Sequence, residues 1–317
     1  MEKLKVAVLG VGFWGRNHAR IYSAMDSVEL VAVVDPNAFN AETVAKRLEC
    51  NHYATTEELL KKEKIDAASV CTPSSTHAEV ASKLIERGVS LLVEKPLTAT
   101  LEEGLTLFEK IKKYKVLATV GFIERFNPAV QTIKQWIETG RLGKVILFYS
   151  KRVSNWPERI GDVGVVKDLS IHDLDLARHL LADEPFSVYA IVGRARNRTH
   201  EDFANILLNF QNSTAFVESN WLTPYKERLL VVTGSEATAT ANYLTQEVSV
   251  SDVNGRFSPL TRIKEPLQLE LESFVKSILS NEQPLPSVED GLKALALAEA
   301  AALSSQTGSP VRPNFEF

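Results

Sequence analysis

Residues 5–35 read KVAVLGVGFWGRNHARIYSAMDSVELVAVVD, and this stretch limits the possible folds more tightly than any other. The apolar run at 6–9 is short and stopped by Gly10, the pattern of a strand buried in a parallel sheet. Glycines then stand at 10, 12 and 15, spaced G-x-G-x-x-G, and a helical segment follows over roughly 13–25. A second apolar run, 30–34, ends at Asp35. In a dinucleotide-binding turn Gly10 lets the chain turn out of the strand. Gly12 leaves the backbone bare for a pyrophosphate, and Gly15 brings helix and strand close together. The pyrophosphate then meets unpaired N–H groups and the positive end of the helix dipole. A lone glycine triplet is a weak signal. Here strand, helix, second strand and an acid twenty residues past Gly15 occur together. Phe13 and Trp14, inside the turn, join the cofactor-binding set. Asp35 is expected to accept hydrogen bonds from the adenosine ribose. A carboxylate there repels a 2′-phosphate and residues 36–39 supply no arginine, so NAD is expected rather than NADP.

A chain of 317 residues with 44% hydrophobic content has room for two ordinary domains with real cores. Its net charge of -4 argues against a nucleic-acid or membrane-surface partner. Two cysteines, Cys50 and Cys71, make no disulfide framework, and Cys71 closes an apolar run as a small buried thiol does. No apolar run approaches spanning length and no signal peptide precedes the first strand, so a cytoplasmic protein is expected.

Past Asp35 the alternation of strands and helices continues to about residue 120, which predicts a doubly wound parallel sheet with helices on both faces. Ligands of such sheets sit beyond the carboxyl ends of the strands, so the residues there carry most information. After the strand ending at Cys71 come Thr72, Pro73, Ser74 and, three residues on, His77. This is either a loop lying along the cofactor or an ordinary capped turn with a surface histidine. After the strand at 89–93 come Glu94, Lys95 and Pro96. A lysine there is placed to enter the cleft, or else forms a solvated charge pair with Glu94. A cis Lys95–Pro96 bond is expected to hold it.

A domain boundary is expected near Phe122, giving a cofactor-binding domain at 1–122 and a substrate-binding and oligomerisation domain at 123–317. Beyond it strands dominate, several alternating apolar with polar residues as an antiparallel sheet with one solvated face does. One helix, about 166–181, interrupts them. It carries Asp168, His172, Asp175 and His179 in a stripe between two apolar shoulders, as a helix at the rim of a cleft would. An Asp one turn from a His makes a workable acid/base pair. The same stripe resembles metal-ligand spacing, but without cysteine or H-E-x-x-H no metal is expected. A plain solvated polar face fits the spacing as well.

Taken together, the glycine triplet, Thr72-Pro73…His77, Glu94-Lys95-Pro96 and Asp168-x-x-x-His172 resemble the glucose–fructose oxidoreductase / inositol dehydrogenase / MocA family across essentially the whole chain. The resemblance implies an α/β protein: an N-terminal Rossmann domain followed by an α+β domain with a large, mostly antiparallel sheet. That sheet would form a homodimer or homotetramer interface. It also implies that Lys95, Asp168 and His172 carry the chemistry, a hydride transfer from a secondary sugar hydroxyl to the nicotinamide. His172, as imidazole, is assigned the general base. Lys95 would stabilise the developing alkoxide, and Asp168 would orient the substrate or the other two. The lysine as base stays open. Where many relatives have a glycine pair before the D-x-x-x-H helix, this chain has Val163-Gly164.

Residues 12–15, 124–128 and 162–166 look most like those of UDP-sugar dehydrogenases that oxidise the 3-hydroxyl of UDP-N-acetylglucosamine. The diphosphate of such a substrate needs cations, for which Arg16, Arg125, Arg152 and Arg159 are candidates, with Asn127 beside them. Trp156 faces the sugar or uracil, or covers the core. Two other readings stand beside this one: a free-sugar or polyol dehydrogenase, and a non-catalytic NAD-sensing regulator of the same fold.

Overall fold

The computed structural model describes residues 3–157, 162–260 and 262–317, which divide into two compact units. The first comprises Met1–Gly121 with Leu267–Leu292, the second Phe122–Pro266 with Lys293–Phe317.

In the first unit six strands and five helices alternate from the start of the chain. They are β1 (Leu4–Leu9), α1 (Phe13–Ser23), β2 (Val28–Val34), α2 (Ala38–Leu48), β3 (Asn51–Tyr53), α3 (Thr56–Lys62), β4 (Ala67–Val70), α4 (His77–Ile85), β5 (Ser90–Glu94), α5 (Leu101–Tyr114) and β6 (Ala118–Gly121). The sheet order is β3-β2-β1-β4-β5-β6 and every pairing is parallel. The order reverses between β1 and β4, the kind of position at which doubly wound folds bind ligands. β1, β4 and β5 are buried almost throughout, as their unbroken apolar runs require. The helices have sequence-encoded starts. Asn37 and Thr55 cap α2 and α3, and Thr100 with Glu103 forms a capping box on α5. By contrast, α1 begins at Gly12 with no side-chain cap and no acid in its first turn.

A single boundary at 122/123 does not describe this unit, because α8 (Pro266–Ser280) returns to it. The helix buries Leu267, Leu271, Phe274 and Val275. Two hydrogen bonds secure the segment after it: Thr119 Oγ1 donates to the Pro286 carbonyl at 2.6 Å, and Gln283 Nε2 to the Ala118 carbonyl at 2.9 Å.

The second unit is built on eight strands with α6 (Pro128–Glu138) and α7 (Ile171–Leu181). The strands are β7 (Val145–Val153), β8 (Ser187–Gly193), β9 (Phe203–Asn209), β10 (Thr214–Asn220), β11 (Glu227–Gly234), β12 (Thr238–Asn242), β13 (Val248–Asp252) and β14 (Gly255–Phe257). Their order is β14-β13-β12-β11-β7-β10-β9-β8. Only β7 and β10 pair in parallel; every other neighbour is antiparallel. Alternate residues of β9, β10, β11 and β12 are buried, so one face lies on the core with α6 and α7. The other face carries Tyr149 stacked on Phe216, with Tyr189 and Ile191 exposed beside it. The last helix, α9 (Val288–Thr307), spans the division between the units. Among the described residues no helix is long and apolar enough to cross a membrane.

Candidate cofactor and catalytic sites

The cofactor side is built by the first unit. Gly10 has φ of +84°, and a Cβ there would lie 2.6 Å from the Cys71 carbonyl oxygen. A Cβ on Gly15 would collide with the Gly10 carbonyl, so the helix reaches the strand only because both positions are glycine. A Cβ on Gly12 would meet nothing within 4 Å. That open space sits at the uncapped start of α1, where unpaired N–H groups and the helix dipole suit a pyrophosphate. The residues present therefore fit a dinucleotide. Asp35 stands where its oxygens organise the turn: Oδ2 accepts from the Val11 N–H and Oδ1 from the Asn37 N–H, both at 2.9 Å. Phe13 is exposed and meets Trp14 edge to face at 5.4 Å. Arg16 donates from Nε to the Val11 carbonyl and from Nη2 to Asn40 Oδ1, which sets it at the Asp35 end of the turn.

Of the loop after β4, Thr72 and Thr76 share a hydrogen bond at 2.9 Å and Ser74 is buried. His77 is neither a surface residue nor turned outward. It is 1% exposed, and its ring lies 2.9 Å from the Pro96 carbonyl at Nδ1 and 2.8 Å from the Thr72 carbonyl at Nε2. It links the loop after β4 to the turn after β5. Both partners only accept, so a neutral ring with one N–H serves one of them and an imidazolium serves both. Burial nevertheless lowers the His77 pKa from its ordinary 6.5, against the two carbonyls and the Glu94 charge, which raise it. A lowered folded-state value gives stability that is whole above pH 6.5 and lost as pH falls through the folded-state pKa. We expect urea unfolding of the wild type to weaken on acidification below that point, and His77→Gln to lack this limb. Parallel curves for the two proteins would contradict the assignment.

Glu94 is likewise turned inward, 7% exposed. Its partners are His18 and the Lys95 N–H. Lys95 is half-buried at the carboxyl end of β5, and the Lys95–Pro96 bond is cis.

The Asp168–His172 pair belongs to the second unit. Residues Val166–Ser170 form a π-turn that runs directly into α7, so the segment read as one α-helix changes pitch between the two residues. Glu201 secures its start. It accepts from the Val166 N–H at Oε1, and a Cβ on Gly164 would collide with its carboxylate. Sequence reading gave no sign of Glu201, because the contact joins segments 35 residues apart. Asp168 and His172 are 5% and 7% exposed, and the His172 ring meets Phe122 edge to face at 6.4 Å. The helix is no solvated rim: all eight residues from 171 to 178 are buried.

Three residues assigned to the substrate are taken up by the fold. Arg125 grips Asp175 in a bidentate ion pair at 2.7 and 2.5 Å, with neither side chain open to solvent. Arg152 holds Asp173 through Nε and Nη2 and Glu124 through Nη1, and is 4% exposed. Asn127 caps α6, and its amide donates to Glu124 and to the Tyr243 carbonyl. Arg125, Arg152 and Asn127, expected at the substrate, are thus each held by contacts within the second unit. Arg159 lies outside the described residues. Trp156 is exposed but meets Trp221 edge to face at 5.1 Å, so one side of it covers the core. Among the described residues, no group of three His, Cys, Asp or Glu side chains is placed to hold a metal ion.

Two family profiles match the chain. One, an oxidoreductase family with an NAD-binding Rossmann fold, covers residues 4–122, and the GFO/IDH/MocA C-terminal domain covers 130–240. The scyllo-inositol 2-dehydrogenase (NAD(+)) of Bacillus subtilis (strain 168) is 31% identical, over 98% of this chain and 96% of its own. A UDP-N-acetylglucosamine 3-dehydrogenase of Acidithiobacillus ferrooxidans is 35% identical, over 68% of this chain and 66% of its own. A solved structure of the Acidithiobacillus enzyme aligns with 97% of this chain and 99% of its own, with a TM-score of 0.88 at 27% identity.

Proposed function

The chain belongs to the GFO/IDH/MocA family of NAD-binding oxidoreductases, and from that premise we propose that it oxidises a secondary hydroxyl of a nucleotide sugar, the 3-hydroxyl of UDP-N-acetylglucosamine. The observation that supports the finer reading is the 35% identity to a UDP-N-acetylglucosamine 3-dehydrogenase over 68% of this chain, beside the match of that enzyme's structure over 97% of it. The sequence at 12–15 and 162–166 points the same way.

When bound, NAD supplies the hydride acceptor. The chain's own residues handle the proton and the geometry. His172 takes the hydroxyl proton. Lys95, by the family resemblance, stabilises the negative charge that develops on the hydroxyl oxygen. Asp168, four residues before His172 across the π-turn, orients the group that reacts. The diphosphate does not draw on Arg125 or Arg152, whose guanidinium groups are committed to carboxylates. Of the other two arginines considered, Arg16 is held at the Asp35 end of the glycine turn and Arg159 lies outside the described residues.

The inositol reading keeps one specific support, the near full-length match to the Bacillus enzyme. The test is NADH formation with UDP-N-acetylglucosamine, scyllo-inositol and glucose in parallel. UDP-N-acetylglucosamine is expected to give the highest kcat/KM. Faster turnover of scyllo-inositol would replace the nucleotide-sugar reading with the polyol one, and turnover of none would favour an NAD-sensing role.

A further inference from the structure

Beneath the glycine turn lies a buried hydrogen-bonded chain that the chemistry above does not use. It starts at Tyr22 on α1, whose hydroxyl is 2.9 Å from Ser69 Oγ on β4. Ser69 Oγ is 3.0 Å from His18 Nδ1, and His18 Nε2 is 3.0 Å from Glu94 Oε1 at the end of β5. The other carboxylate oxygen, Oε2, accepts the Lys95 N–H at 3.2 Å. Tyr22, Ser69 and His18 are each 0% exposed.

The geometry accommodates one consistent set of directions, that of a neutral imidazole beside a carboxylate. An ionised carboxylate only accepts, so His18 donates from Nε2. Its Nδ1 is then left to accept from the Ser69 hydroxyl, and Ser69 in turn accepts from Tyr22. Tyr22 keeps its proton, because burial pushes its pKa far above the usual phenol value. In that set Ser69 and His18 each use one donor and one acceptor, between a terminal donor, Tyr22, and a terminal acceptor, Glu94. The Glu94 carboxylate is also boxed sterically: a Cβ on Gly121 of β6 would lie 3.0 Å from its Cδ.

We infer that His18 is a positioning residue for Lys95, fixing through the Glu94 carboxylate the peptide on which the reactive amine is mounted. This rests on the role given to Lys95 above. α1 thus has two tasks. Its first turn stands where a pyrophosphate would bind, and about one turn further in its buried side, at His18, sets the end of β5.

The test uses the full-length protein with NAD and UDP-N-acetylglucosamine. His18→Leu removes the donor to Glu94. His18→Gln returns an amide N–H near the place of Nε2. Loss of orientation is expected to lower kcat about 10–100-fold in His18→Leu, leaving the KM for NAD and calorimetric NAD affinity unchanged. His18→Gln is expected to recover most of that loss. A readout independent of turnover is the rate at which acetic anhydride labels Lys95, followed by mass spectrometry on the NAD-bound protein. It should change in His18→Leu and return toward wild type in His18→Gln. Where His18→Leu shows no cooperative unfolding, His18→Asn, which keeps the Ser69 bond and drops the Glu94 bond, is read in the same way. Unchanged kcat and unchanged Lys95 labelling in a folded His18 variant would overturn the inference. Lys95→Met, run alongside, separates the two levels. If it is inactive while His18→Leu behaves as wild type, only the positioning role falls. If Lys95→Met itself turns over normally, the catalytic reading of Lys95 falls and the inference with it.

Discussion

Lys95→Met is expected to lower kcat by about 10³-fold while leaving NAD affinity intact, because it removes the donor to an oxygen that gains charge as the hydride leaves. Methionine keeps the length and the apolar stem, so the half-buried pocket at the end of β5 stays filled. The glycine turn, Asp35 and the uncapped start of α1, proposed to hold the other parts of the dinucleotide, are untouched by the change. Lys95→Arg is not expected to rescue turnover, since a planar guanidinium cannot take the place of a compact ammonium. Steady-state kinetics with parallel calorimetry measures both quantities. Wild-type kcat in Lys95→Met would remove the residue from the chemistry. Equal loss of NAD affinity and turnover would recast it as a binding residue.

The second large effect concerns stability. Arg152→Met is expected to cost about 3–5 kcal/mol of unfolding free energy. Arg152 answers two carboxylates at once, Asp173 at 2.7 and 3.0 Å and Glu124 at 2.8 Å, and its guanidinium lies over the Tyr243 ring at 4.9 Å. The Tyr243 hydroxyl donates to the same Asp173. Without the arginine, the fully buried Asp173 loses its charge partner one residue from His172. The double variant Arg152→Met/Asp173→Leu is expected to recover part of the loss, because an apolar pair leaves fewer buried charges uncompensated. Urea denaturation reads both. A loss below about 1 kcal/mol in the single variant would show the pair to be no stronger than a surface ion pair.

The same cluster shows where sequence reading stops. The glycine spacing, the apolar runs and Asp35 are local signals, and each constrains its own few residues, so the Rossmann order was legible before any coordinates. Alternation in the later strands likewise exposed the large antiparallel sheet. Arg125 and Arg152 looked like cations in search of a diphosphate because their partners, Asp175 and Asp173, lie 50 and 21 residues away. The stripe on α7 was read from its period alone. Period does not reveal that the helix is buried on every side, nor that its first turn is π. Glu94 looked like half of a solvated pair with Lys95 until the fold brought His18 to it across 76 residues. His18 and Tyr22 do stand one helical turn apart in the sequence. Nothing there says that the face they share is covered by Ser69. The return of α8 to the first unit is hidden for the same reason, since an apolar helix face does not name what covers it.

The central claim is that a hydride leaves the carbon bearing a sugar hydroxyl and reaches NAD on this chain. UDP-N-acetylglucosamine deuterated at the carbon of its 3-hydroxyl, incubated with the protein and NAD, tests it most directly. Mass spectrometry of the reduced cofactor is predicted to find the deuterium in NADH, with slower turnover than the unlabelled sugar. Reduced cofactor without the label, or label retained in an unoxidised sugar, would contradict the account.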